Sequence, residues 1–113
     1  MRCLLLILLL VAGCSTGPQT DLPLIAEARS LAAEWALVNQ LALEGKLTSS
    51  FTRTMRVNVR EELKSDASSL TKPRSSYGAE IEELLRQPDD APPERLRTSA
   101  ARLKQIEAEL ESA

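Results

Sequence analysis

The chain has 113 residues, with 14 Lys and Arg, 16 Asp and Glu, and no His. A net charge of −2 is too weak to draw in a polyanion by bulk charge. Without His, the Ser-His and Cys-His dyads and the His-bearing zinc sites are excluded, and no Gly-rich phosphate loop or CxxC pair points to a cofactor or metal.

Met1 and Arg2 form a short positive start, Leu4 to Ala12 an apolar run, and Gly13 a small residue ahead of Cys14. That arrangement is a secretory signal peptide, and its apolar run is too short to cross a bilayer as a helix. Val11-Ala12-Gly13-Cys14 resembles the lipobox of bacterial lipoproteins. The resemblance covers residues 1–15. It implies that residues 1–13 are removed, that Cys14 receives a diacylglyceryl thioether, and that its new amine is acylated. The implied partner of Cys14 is thus the lipid bilayer, and three acyl chains hold a protein there permanently where two already hold it stably. Ser15, where an Asp favours inner-membrane retention in enteric bacteria, implies by the same resemblance the inner leaflet of the outer membrane, facing the periplasm. Cys3 falls in the removed segment. Acylation consumes Cys14, the last cysteine, and so excludes an intrachain disulfide.

Removal of residues 1–13 leaves 100 residues with 13 basic and 16 acidic side chains, a net charge of −3. The expected organisation is a lipidated tether over residues 14–20 and one domain over 21–113. Only Trp35, Phe51 and Tyr77 are aromatic there, so the core must be a modest one of Leu, Ala, Val and Ile.

Asp21 is a suitable N-cap and Pro23 is tolerated in a first turn, so a first helix is predicted from Asp21 to Glu44. Leu24, Ala28, Leu31, Trp35, Val38 and Ala42 form a heptad seam along it. Ile25, Ala32, Ala36 and Leu43 form a second apolar stripe, about 100° round the helix. Two stripes need two neighbours, which puts this helix at the centre of the domain. Gly45 is expected to end it as a left-handed residue. Thr48 or Ser49 can cap a second helix running to about Leu70, with Phe51, Met55, Val59, Leu63, Ala67 and Leu70 as its apolar line. The short linker makes the two helices antiparallel. Ala42 would then face Phe51, Val38 Met55, Leu31 Leu63 and Leu24 Leu70, with the Trp35 indole near Asn58 and Val59.

Pro73 breaks the chain. A short third helix is predicted from Ser75 or Ser76 to just before Pro88, carrying Tyr77, Ile81, Leu84 and Leu85. Residues 87–93 read as a stiff linker. A fourth helix is predicted from about Pro93 to Glu111, with Leu96, Ala100, Leu103, Ile106 and Leu110 on one stripe. No segment alternates with a strand period. The expected fold is all-α: a small bundle made of a long antiparallel hairpin, one short helix and one longer helix.

Arg53, Arg56, Arg60 and Lys64 line one face of the second helix without an acidic i+4 partner in the stripe. Either the acidic neighbouring helices pair them, or they bind an external anion or partner such as a lipid head group. The acidic-basic-acidic alternation along the chain favours the first. Glu80, Glu82 and Glu83 can serve a helix dipole without any acid–base role. Asp89 and Asp90 fall short of the six to eight oxygens that Ca²⁺ takes and read as turn residues. No catalytic residue, cofactor or metal ligand is expected. The expectation is a membrane-anchored, periplasm-facing lipoprotein of structural or protein-interaction role rather than an enzyme. The alternative is an accessory subunit of an envelope complex, docking through an exposed helical seam or the basic stripe. The compartment makes nucleic acid an unexpected partner.

Overall fold

The computed structural model describes residues 18–113, so Cys14 and the leader lie outside the described residues. A 3₁₀ turn over Pro18–Asp21 leads into helix α1 (Leu22–Leu43), followed by α2 (Ser49–Ser69), α3 (Ser76–Arg86) and α4 (Pro93–Glu111). The 3₁₀ turn thus begins inside the stretch, residues 14–20, expected to be a tether.

The ends of the helices follow from local chemistry. Thr48 Oγ1 accepts from the Phe51 N–H at 3.1 Å and starts α2. Ser75 Oγ accepts from the Gly78 N–H at 3.1 Å and starts α3. At the end of α1, the Gly45 N–H donates to Ala42 O (3.1 Å) and the Lys46 N–H to Leu41 O (2.9 Å), with Gly45 at φ 70°. That is a Schellman closure, which glycine enters without a Cβ penalty. Asp21 does not cap α1 with its side chain; its carboxylate is used elsewhere, as described below.

Side-chain pairs fix the directions. Asn39 meets Arg56, Trp35 meets Arg60, and Asp21 meets Thr71, so α1 and α2 run antiparallel. Arg29 pairs with Glu107 (2.9 Å) while Asn39 reaches Ala91, which sets α4 antiparallel to α1. Glu80 lies by Arg102 and Gln87 by Arg95, which sets α3 antiparallel to α4. The result is an up-down-up-down bundle with short connections. Helix α1 touches all three other helices, whereas α2 and α4 do not meet among the described residues.

Both apolar stripes of α1 are used. Ile25, Ala28, Leu31, Ala32, Trp35 and Ala36 join Val59 and Leu63 of α2, Tyr77, Ile81 and Leu84 of α3, and Leu96 and Leu103 of α4 in one core. The alanines of α1 let the neighbouring helices approach closely, and the larger residues fill the space between.

Coverage fails at one end of the hairpin. Helix α3 has only 11 residues, and α4 starts near the level of Asn39, so neither reaches the α1–α2 turn. Leu43 is 76% exposed and Phe51 51% exposed. The expectation that Phe51 packs as core facing Ala42, and that Leu43 completes the second stripe, is therefore corrected: among the described residues no third element lies over them. At the opposite end, Gly78 has no room for a side chain. A Cβ there would lie 2.2 Å from Pro73 O, which belongs to the loop that α3 packs against.

Candidate functional site

The main polar constellation joins the middle of the hairpin to the α3–α4 linker. That linker presents backbone carbonyls, and three side chains of α1 and α2 hold them. The Trp35 indole N–H donates to Asp89 O at 3.0 Å. Asn39 Nδ2 donates to Asp89 O (3.1 Å) and to Ala91 O (2.8 Å), while its Oδ1 accepts from Arg56 Nε (2.9 Å). Arg60 donates to Leu85 O (2.9 Å), Gln87 O (2.7 Å) and the Asp89 carboxylate (2.9 Å), with its guanidinium 5.0 Å above the Trp35 ring. Carbonyls near the end of α3 and along the linker have no helical partner of their own, and the Arg60 fork supplies one.

This arrangement divides the basic stripe. Arg60 points inward and is fully engaged. Arg56 is half-buried and tied through Nε to Asn39. Lys64 lies 3.6 Å from Glu61 on its own helix. Arg53 is exposed and has no ion pair or hydrogen bond among the described residues; it borders an open groove with Leu47, Thr52, Arg56, Val57 and Asp89. Neighbours do engage the inner part of the stripe, but mostly through carbonyls and an amide. Among the described residues, Asp89 is the one carboxylate from another element that pairs with it.

The other residues singled out from the sequence fall into place. Trp35 and Tyr77 are buried. The indole bonds Asp89 O and not Asn58, which is exposed. Glu80, Glu82 and Glu83 lie beyond the first turn of α3, where its dipole has faded. Glu80 faces Arg102 at 3.6 Å and Glu83 bonds Arg86 at 2.9 Å. Asp90 is an exposed turn residue. No group of three potential metal ligands occurs among the described residues, and no described helix is long and apolar enough to cross a membrane.

Two buried carboxyls were not anticipated from the sequence. Asp21 accepts from the Thr71 N–H (2.9 Å), the Thr71 hydroxyl (3.0 Å), the Lys72 N–H (3.2 Å) and the Tyr77 hydroxyl (2.7 Å). Burial pushes its pKa up, but these donors outweigh burial and hold it below the ordinary carboxylate value. Burial and the Asp21 hydrogen bond push the Tyr77 phenol upward. Asp66 sits in the buried line of α2, between Leu63 and Leu70, and its Oδ2 is buried without a hydrogen-bond partner. A helical period in the polar residues would have placed Asn39 and Asp66 on the inner faces, but nothing in their type marks them as interior.

Comparison with protein-family models, with curated proteins and with solved structures finds no significant match.

Proposed function

We propose that this chain is a non-enzymatic helical lipoprotein of the cell envelope. An acylated Cys14 would hold it to the outer membrane, with the bundle facing the periplasm. The observation that carries this reading is Val11-Ala12-Gly13-Cys14 closing a leucine run that begins three residues from the start. The bundle is compatible with it: among the described residues, Trp35, Asn39 and Arg60 spend their donors on the protein's own backbone carbonyls. Radiolabelled palmitate should enter the wild-type chain and not Cys14→Ala. Equal labelling of both chains would end the lipoprotein reading.

The second reading, an accessory subunit that docks on an envelope protein, is favoured by one feature. The α1–α2 turn carries exposed Leu43 and Phe51 beside the free Arg53. Helix α1, with 22 residues, is about 33 Å long, so this end lies far from the 3₁₀ turn at Pro18–Asp21. A photo-crosslinker in place of Phe51 should give discrete envelope-protein adducts in cells. The same adducts from a crosslinker in place of Ser68, at the other end of α2, would remove the turn as the docking face.

A further inference from the structure

We propose that Asp66 and Glu27 share one proton across the α1–α2 interface and form a clasp that is closed in mild acid and loosens as the pH rises through neutrality. Asp66 is only 3% exposed, and Oδ2 meets no donor. A carboxylate left this way would pay the full cost of leaving water. The antiparallel register that joins Asp21 to Thr71 and Trp35 to Arg60 sets Glu27 of α1 opposite Asp66 of α2. Two ionised carboxylates cannot bond each other. A protonated Asp66, however, donates its O–H to the Glu27 carboxylate, which satisfies the buried group and joins the helices.

The charges around Asp66 act in the same direction. Glu27 faces it from α1, and Glu62 lies one turn back on α2; both are anions. The nearby basic residue of α1, Arg29, is paired with Glu107. On α3, the other helix packed against α2, Tyr77 is bonded to Asp21, Glu80 faces Arg102, Glu83 pairs with Arg86, and Glu82 is exposed. Burial first, then the charge and hydrogen bond of Glu27, then the charge of Glu62, raise the Asp66 carboxyl to about 7.

The sign follows from proton counting. Aspartate in an unfolded chain titrates near about 3.9. Between there and neutrality the folded chain holds a proton that the unfolded chain lacks. Stability from the clasp is therefore complete below that window, is lost as pH rises through it, and levels off above about pH 7. The clasp ties the N-terminal half of α1, which receives the chain from Cys14, to the C-terminal half of α2. Its loosening would be felt at that end of the bundle first.

The test uses the full chain. The melting temperature of the wild type should fall by at least about 5 °C between about pH 5 and about pH 8. Asp66→Asn, which replaces the shared proton by an amide donor, should be flat over that range and melt above the wild type at its alkaline end. An NMR titration of the Asp66 side-chain carboxyl resonance should show a midpoint near neutrality. A midpoint in the ordinary aspartate range, or an Asp66→Asn chain with the same pH slope as the wild type, would overturn the proposal. If Asp66→Asn does not fold, the carboxyl titration of the wild type alone decides.

Discussion

Replacing Trp35 with alanine should destabilise the folded chain by about 3–5 kcal/mol. Trp35 is 1% exposed, is the largest side chain of the core, and lies midway along the helix that touches all the others. Its loss opens a cavity that α3 and α4 cannot collapse into, because Arg60 and Asn39 hold the intervening linker in place. It also removes one donor to Asp89 O, leaving Asn39 Nδ2, and the ring beneath the Arg60 guanidinium. In a domain of this size such a loss takes much of the total stability. Trp35→Phe separates the contributions. It keeps most of the apolar volume but not the N–H, and should recover more than half of the loss. Denaturant unfolding followed by far-ultraviolet circular dichroism measures both variants. An alanine variant within about 1 kcal/mol of wild type would show that the core does not depend on this side chain.

The second large effect is expected at Asp21. Asp21→Ala should cost roughly 2–4 kcal/mol, since the Lys72 N–H and the buried Tyr77 hydroxyl lose a charged acceptor. The acid side of the stability profile should change with it. The folded carboxyl titrates below its unfolded value, so its contribution is complete above the unfolded pKa and disappears as pH falls through the lowered one. Asp21→Asn should therefore flatten the acid limb while leaving the region near neutrality to Asp66. An Asn variant with an unchanged acid limb would assign that limb to other carboxylates.

The helices were legible because their signals are local. Thr48, Ser75 and Gly45 act on the turns they sit in, and the two stripes of α1 announce two neighbours whatever those neighbours are. The polar architecture was not legible, for a different reason. Trp35, Asn39 and Arg60 bind carbonyls of residues 85–91, and a backbone carbonyl has no signature in the side-chain sequence. The basic stripe was visible, but its division between a half-buried fork at Arg60 and a free cation at Arg53 depends on where α3 stops. Phe51 reads as core by spacing. It is exposed because a helix of 11 residues cannot cover one of 21. Asp66 stands among serines and a lysine, in a stretch that reads as a solvated face, and only the rotation of α2 against α1 turns it inward.

The position of Asp21 has a mechanical consequence. It is the first residue before α1, yet its carboxylate is bonded to Thr71, Lys72 and Tyr77, some fifty residues further along the chain. A pull on the segment preceding Pro18 therefore does not peel α1 from its end. The load divides at Asp21 between the axis of α1 and the connection between α2 and α3, and the hydrogen bonds there must yield together. Under tension the bundle would resist as a sheared joint and give way abruptly, where a helix held only by its apolar face would unzip turn by turn.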